Sequence, residues 1–232
     1  MTPFLGEIVG TALLLLLGDG VVANVVLPRT NGHAGGWIVI TFGWAMAVFV
    51  AVFAVAGVSG AHLNPAVTVG LAAAGKFAWA SVPAYIAAQM LGAFLGACLV
   101  WLVYRPHLDL CDDPASQRGV FCCAPVLRST PHNLAVEAIA TFVLVLGVLR
   151  IEGAANSLGA VDALPVALLV LAIGLSLGGP TGYAINPARD LAPRIAHALL
   201  PMRGKGPSDW SYAWIPVAGP LLGAALAGWL HL

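Results

Sequence analysis

Charged residues are scarce in this chain. Asp, Glu, Lys and Arg together make up 9% of its 232 residues, whereas about 25% is usual in a soluble domain. Acidic and basic residues number ten each, so the chain lacks the positive excess that electrostatic binding of nucleic acid requires. The apolar fraction of 60% excludes a disordered chain and disfavours a soluble enzyme, because too few polar residues remain to cover its surface. A membrane protein with several spans is therefore expected.

Long apolar runs account for most of the chain. A spanning helix needs about 20 apolar residues, because a rise of ~1.5 Å per residue must cross ~30 Å of hydrocarbon. The runs do not show the two-residue alternation that is typical of β-barrel strands. The sequence predicts an all-α membrane protein with six spanning helices. Their approximate limits are 4–27, 36–58, 82–104, 132–151, 162–180 and 212–230.

Two further apolar stretches, Asn64–Gly75 and Asn186–Leu200, are about half as long as a span. Each begins with the tripeptide Asn-Pro-Ala. Asn is a favoured N-cap and Pro is favoured at the first helical position, so each tripeptide predicts the start of a re-entrant half-helix. The residues concerned are Asn64, Pro65 and Ala66 in the first stretch, and Asn186, Pro187 and Ala188 in the second.

The chain contains an internal repeat. Glu7 and Glu137 occupy matching places in the first and fourth runs, as Gly92 and Gly219 do in the third and sixth. Each copy has three spans and one half-helix, and because three is odd, the second copy enters the membrane from the opposite side. The sequence thus predicts one channel domain built from an inverted repeat. Its limits are 1–232 for the domain, about 1–105 and 132–232 for the repeats, and 105–131 for the joining loop.

The inverted repeat directs the N-termini of the two half-helices at each other near the bilayer midplane. Each N-terminus carries about half a positive charge, and two such ends at a narrow midplane repel cations and protons. The side-chain amides of Asn64 and Asn186 offer donors to an oxygen that passes between them. This arrangement predicts a pore for neutral hydroxylic solutes. The alternative is that both asparagines only cap their helices.

The segments Ser59–Thr68 and Gly182–Asp190 resemble the aquaporin and glycerol facilitator superfamily, and the resemblance extends over essentially the whole chain. It implies a homotetrameric, multi-pass channel of the cell membrane with one pore per subunit. It implies no enzymatic activity, no cofactor and no metal. It also implies a constriction formed by four residues, which are Trp44, Gly174, Tyr183 and Arg189.

These four residues favour a polyol over water alone. Gly174 leaves room where water-selective members of the family usually have His. Trp44 and Tyr183 would form an apolar corner for a carbon backbone, and Arg189 would present fixed donors to the hydroxyl groups opposite. We predict an aquaglyceroporin-like channel for glycerol, similar small polyols and water. A water-selective aquaporin is the alternative.

Five charged residues lie within or beside the apolar segments. A carboxylate inside a span, such as Glu7 or Glu137, can belong to a proton relay. The resemblance favours another role, in which each accepts hydrogen bonds from the backbone of a re-entrant loop. Asp190 and Arg194 stand four residues apart in the second half-helix and are assigned to structural bracing. The fifth charge, Arg189, faces the solute.

Several points stay open at this stage. His62 either lines the pore or forms hydrogen bonds within its own loop. Free thiols are the default, but a disulfide between Cys111 and Cys122 is permitted if their loop is extracellular. Gly57–Gly60 also fits the nucleophile pattern of an intramembrane serine protease, although that interpretation leaves the repeat unexplained. The distribution of Lys and Arg would place loop 105–131 inside by the positive-inside rule, whereas the resemblance places it outside.

Overall fold

A computed structural model of the chain describes residues 1–151 and 157–231, and every regular element in them is helical. Residues 152–156 and 232, which belong to the predicted second repeat, lie outside the described part. The predicted all-α fold is confirmed. The helices are α1 Pro3–Val26, α2 Trp37–Ser59, α3 Pro65–Ala73, α4 Val82–Asp109, α5 Pro114–Phe121, α6 Thr130–Arg150, α7 Leu164–Leu177, α8 Pro187–Leu199 and α9 Ile215–Leu230.

Six of these helices coincide with the predicted spans. Five helical segments of the described chain are long and apolar enough to cross a membrane, and α9 is a shorter apolar helix of 16 residues. The short 3₁₀ turn Gly159–Ala163 precedes α7. α7 ends at Leu177, three residues before the predicted limit, because Gly178 and Gly179 are poor helix formers and Pro180 disfavours helical backbone before it.

The two repeats pack in equivalent ways and interlock. α1 packs against α2 and α4, and α6 packs against α7 and α9 in the same manner. The half-helix of each repeat lies against the last span of the other, α3 on α9 and α8 on α4. Gly92 and Gly223 allow the close approach within each repeat, since a Cβ at either position would overlap the backbone of α1 or α6.

The region predicted as loop 105–131 is more ordered than expected. α4 continues to Asp109, and α5 forms within the region. The Asp113 carboxylate caps α5 by accepting hydrogen bonds from the backbone N–H groups of Ala115 and Ser116 at 3.0 and 3.1 Å. The Ser116 hydroxyl and these N–H groups lower the pKa of the Asp113 carboxyl. A side-chain amide then fixes α5 to the chain around it, because Gln117 donates to the carbonyls of Leu108, Cys111 and Arg203.

Candidate functional site

Both half-helices begin at the prolines of the tripeptides. Asn64 and Asn186 are the N-caps of α3 and α8 and have extended backbone. The Oδ1 atom of Asn64 accepts a hydrogen bond from the N–H of Ala66 at 2.8 Å, and that of Asn186 accepts from the N–H of Ala188 at 3.0 Å. The side-chain oxygens are therefore used for capping, while the side-chain nitrogens point elsewhere.

Those nitrogens tie the two half-helices together. Nδ2 of Asn64 donates to the carbonyl of Ile185 at 2.8 Å, and Nδ2 of Asn186 donates to the carbonyl of Leu63 at 2.9 Å. The exchange is symmetric, since each acceptor immediately precedes the other asparagine. An amide nitrogen carries two hydrogens, so one donor on each side chain is left over. Both asparagines line a central cavity.

The loops before the half-helices have strained backbone in matching places. Ala61 and Leu63 have φ of 51° and 52°, and Tyr183 and Ile185 have φ of 38° and 44°. A non-glycine residue in this left-handed region costs about 1–2 kcal/mol. Such strain persists only where the surroundings hold it in place, and it is common at functional sites.

Glu7 holds the first loop from α1. Its Oε1 accepts hydrogen bonds from the Ser59 hydroxyl at 2.6 Å and the N–H of His62 at 3.0 Å. Its Oε2 accepts from the N–H of Leu63 and the side-chain amide of Gln89, both at 2.8 Å. The carboxylate is fully buried, and four donors surround it.

Glu137 holds the second loop from α6 through equivalent atoms. Its Oε1 accepts from the Thr181 hydroxyl at 2.6 Å and the N–H of Ala184 at 3.0 Å, and its Oε2 accepts from the N–H of Ile185 at 2.9 Å. This carboxylate is also fully buried. Each glutamate therefore holds one strained residue of its loop by a backbone donor, Leu63 for Glu7 and Ile185 for Glu137.

The central cavity has a volume of about 220 Å³, and its lining residues are of two chemical kinds. One set consists of the loop segments that precede the half-helices, together with the two asparagines. The other set is apolar, and its side chains are Val48, Val52, Val67, Leu71, Leu144, Val148, Val166 and Val170.

Three of the four residues assigned to the constriction line this cavity: Trp44, Tyr183 and Arg189. The guanidinium carbon of Arg189 lies 4.5 Å from the centroid of the Trp44 ring, which is a cation–π contact. Gly174 lies behind Tyr183, because a Cβ at Gly174 would be 2.9 Å from the Tyr183 Cζ. The room that Gly174 leaves is thus filled by the tyrosine ring and not by open space.

Asp190 and Arg194 form a buried ion pair away from the cavity. Nε and Nη2 of Arg194 donate to Oδ1 of Asp190 at 2.9 and 2.8 Å. Arg194 also donates to the carbonyls of Ser208 and Cys123, and Asp190 accepts from the N–H of Cys123. The pair thereby connects the first turns of α8 to the segment after α5, through Cys123, and to the segment after α8, through Ser208.

The open points about His62 and the cysteines have simple answers. His62 lines the cavity, and its ring bonds outside its own loop, since Nδ1 is 3.1 Å from the hydroxyl of Thr68 in α3. All four cysteines are free thiols, including Cys111 and Cys122. Within residues 1–151 and 157–231, no group of three His, Cys, Asp or Glu side chains could hold a metal ion.

Sequence reasoning missed two buried polar residues. Gln89 of α4 bridges Glu7 and the Thr68 hydroxyl. Asp19 lies inside α1 and is fully buried, so the account of five charges is wrong and a sixth buried charge exists among the described residues. Asp19 was visible as a second carboxylate beside Glu7 in the run 4–27, but the sequence did not indicate what it faces.

Comparison with known proteins decides the family. The family model described as Major intrinsic protein matches residues 1–231. The chain belongs to the major intrinsic protein family. It is 56% identical to the "Probable glycerol uptake facilitator protein" of Thermotoga maritima, covering 99% of this chain and all of that one. It is 54% identical to the "Glycerol uptake facilitator protein" of Bacillus subtilis, over 98% of this chain and 83% of that one.

A solved structure agrees with this membership. The chain is similar to the X-ray structure of the aquaglyceroporin from Plasmodium falciparum, with a TM-score of 0.85 and 32% identity over 97% of this chain and 92% of that one. The protein is therefore a multi-pass channel of the cell membrane and not an enzyme. The protease interpretation of Ser59 is wrong, and its hydroxyl donates to the Glu7 carboxylate.

Proposed function

We propose that this major intrinsic protein is a passive channel that conducts glycerol, similar small neutral polyols and water, and excludes ions and protons. The observation that carries the proposal is the mixed lining of the cavity, which combines apolar side chains with loop segments and asparagine amides. Glycerol presents the same two kinds of surface, since its C–H groups lie along one edge and its hydroxyls along the other. The names of the relatives from Thermotoga maritima and Bacillus subtilis support glycerol as the solute.

Different residues of the constriction contact the C–H edge and the hydroxyl edge of glycerol. The rings of Trp44 and Tyr183 offer apolar surface to the C–H edge, and Arg189 offers guanidinium donors to the hydroxyls. A solute that leaves water must recover its hydrogen bonds, because an unpaired buried polar group is costly. Glycerol recovers them at Arg189, whereas a purely apolar molecule gains nothing there.

The meeting point of the two half-helices is where cations and protons are excluded. Asn64 and Asn186 keep one free N–H each after the exchange across the pore, and these hydrogens can donate to a passing hydroxyl oxygen. The N-termini of α3 and α8 place positive partial charge at the same point. Cations and protons are repelled there, while a neutral solute is not.

The remaining assigned residues hold this geometry. Glu7 and Glu137 brace the strained loops through their backbone donors. Asp190 and Arg194 brace the start of α8 against its neighbouring loops. We assign none of these four residues to solute contact, since the cavity is lined by other side chains.

A homotetramer with one pore per subunit belongs to the same proposal. Large apolar side chains are exposed on the outer faces of two helices, for example Ile38 and Phe42 on α2 and Leu102 and Val103 on α4. Such faces suit lipid or a neighbouring copy of the chain. Chemical cross-linking in native membranes, followed by denaturing electrophoresis, is expected to give a ladder that ends at four subunits, and a ladder that ends at one contradicts the tetramer.

Paired flux measurements in liposomes test the proposed function. Vesicles that contain the protein are mixed with hyperosmotic glycerol, and light scattering follows water loss and then glycerol entry. We expect both phases to be faster than in empty vesicles, with proton and potassium leak unchanged. Accelerated water loss without accelerated glycerol entry would support the water-selective alternative. The variant Ile38→Ala, whose side chain is exposed on the outer face and does not line the cavity, is reconstituted to the same density as the matched control for insertion.

A further inference from the structure

Asp19 is an anomaly among the buried charges. It is fully buried in α1, and neither carboxylate oxygen has a hydrogen-bond partner among the described residues. A carboxylate removed from water needs either a proton or a compensating positive charge, because an isolated buried charge is very unfavourable. The position thus requires a partner that the hydrogen-bond pattern does not reveal.

The contacts of the other buried charges leave few candidates for the partner of Asp19. Glu7 and Glu137 are surrounded by loop donors, and Asp190 is paired with Arg194. Arg189 is buried as well, and it lies over the Trp44 ring and beside the cavity. Asp19 and Arg189 are therefore the two opposite buried charges whose side chains have neither a charged contact nor a hydrogen bond in residues 1–151 and 157–231.

The geometry brings these two charges near the same aromatic ring. Gly18, the neighbour of Asp19 in α1, packs directly against the Trp44 ring, and a Cβ at that position would overlap it. The Arg189 guanidinium lies 4.5 Å from the centroid of the same ring. No direct ion pair joins Asp19 and Arg189 in the described part of the chain. A carboxylate and a guanidinium can also interact through an ordered water.

We propose that Asp19 is the counter-ion of Arg189 and a positioning residue of the constriction. Its ionised carboxylate neutralises the guanidinium from the side of α1, so the donors of Arg189 face the solute without an uncompensated charge behind them. A neutral constriction binds a hydroxyl oxygen and releases it again. An uncompensated guanidinium would hold solute oxygens more tightly, and glycerol more than water because it presents several at once.

Infrared difference spectroscopy tests the ion pair without reference to conduction. The wild-type spectrum minus that of Asp19→Asn is expected to contain ionised carboxylate bands only. In the Arg189→Leu background, where the counter-ion is missing, the same subtraction is expected to show a protonated carboxyl band. A protonated band already present in the wild-type difference overturns the proposal, and so do carboxylate bands in both backgrounds.

The effect on conduction rests on the proposed function and needs a double-mutant cycle. We expect Asp19→Asn to lower the ratio of glycerol to water permeability by about threefold or more, as for loss of one partner of a charge pair. The conservative variant Asp19→Glu should restore much of the ratio. In the Arg189→Leu background, Asp19→Asn should have no further effect. An equal change in both backgrounds, or none in either, contradicts the proposal.

A matched control separates charge from packing. Thr11 lies two turns away in α1, is equally buried, and its hydroxyl oxygen also has no partner in the described residues. Thr11→Val removes a buried polar atom of the same helix with little change of shape, so the permeability ratio should stay at the wild-type value. A Thr11→Val change as large as that of Asp19→Asn would assign the effect to packing of α1. If the wild type itself conducts no glycerol, the proposed function fails, while the infrared result still decides the ion pair.

Discussion

The two half-helices have equivalent starts but different first turns. Each begins at an Asn-Pro pair, donates across the pore to the other loop and is held by a buried glutamate. Directly after the tripeptides, however, α3 has Val67 and Thr68 where α8 has Arg189 and Asp190. Thr68 accepts a hydrogen bond from Gln89, while Asp190 accepts from Arg194.

The contacts that the two repeats share and the residues in which they differ therefore have different roles. The shared elements meet at the midplane, where equal contributions from both sides are required. Of the unshared residues, Arg189 is assigned to the constriction, which takes three of its four residues from the second repeat, and Asp190 belongs to the ion pair with Arg194. The comparison therefore predicts that matched changes in the two repeats have unequal effects.

The largest effect is expected at Arg194, which has no charged counterpart in α3. Arg194→Leu leaves the buried Asp190 carboxylate with the N–H of Cys123 as its remaining donor, without a counter-charge, and removes the Arg194 donors from the carbonyls of Ser208 and Cys123. Breaking a buried pair in this way destabilises a protein by about 3–5 kcal/mol. Thermal unfolding in detergent micelles should show a large fall in Tm or no folded protein. Thr68→Val, at the position of α3 that matches Asp190, should have a much smaller effect, and equal losses would contradict the asymmetry.

The two glutamates offer a matched pair for the next comparison. In Glu137→Gln, the new amide nitrogen can take the place of Oε2, so that only the N–H of Ile185 loses its acceptor. In Glu7→Gln, the nitrogen faces two donors in the place of either oxygen. These are Ser59 and His62 at Oε1, and Leu63 and Gln89 at Oε2. An unsatisfied buried donor costs about 1–3 kcal/mol, so Glu7→Gln should be less stable than Glu137→Gln by about 1 kcal/mol.

Unfolding of the two variants side by side measures this difference. The wild-type chain serves as the common reference for both. A Glu137→Gln protein that is less stable than Glu7→Gln would show that the number of donors does not determine the cost.

The constriction can be altered through two of its second-repeat residues, Gly174 and Tyr183. Gly174→His alone would clash with Tyr183, whose Cζ would lie 2.9 Å from a Cβ at that position. The double variant Gly174→His/Tyr183→Thr removes the ring that fills the space. We expect it to fold and to lose glycerol flux by about tenfold, equal to ~1.4 kcal/mol, while water flux persists. Glycerol flux at the wild-type level in the double variant would remove both residues from the constriction.

Local signals and symmetry made much of the fold predictable from sequence. Asn-Pro pairs placed the half-helix starts, and run lengths placed the spans within a few residues. Symmetry between the copies singled out Glu7 and Glu137. The short helix α5 was missed because its polar composition obscured a local signal, the Asp113-Pro114 cap.

The unpredicted features depend on which side chains meet in space. The sequence indicated that Gly174 leaves room, but only packing shows that Tyr183 fills it. Asp19 was visible as a carboxylate in an apolar run, but its facing helices, and hence its buried and unpartnered state, follow from tertiary structure. The role of Gln89 could not be predicted either, because its side chain donates to Glu7 and Thr68, which are distant from it in sequence.

The smallest effect is expected at the loop that follows α8. Arg128 pairs with Asp209, and Ser211 also donates to that carboxylate. Partial burial opposes ionisation of Asp209, but the hydrogen bonds from Arg128 and Ser211 outweigh it and lower the pKa of its carboxyl. The pair therefore stabilises the fold above the pKa of the unfolded chain, and that contribution is lost as pH falls through the folded-state value.

Because more than half of the Arg128 side chain is exposed, its pair is worth only about 0–1 kcal/mol. Arg128→Ala should lower Tm slightly at neutral pH and not at all once Asp209 is protonated in acid. Unfolding of both proteins across that pH range measures the difference. Since the contact lies outside the cavity, glycerol flux should not change. A flux loss in Arg128→Ala would extend the asymmetry between the repeats from the constriction to the surface loops.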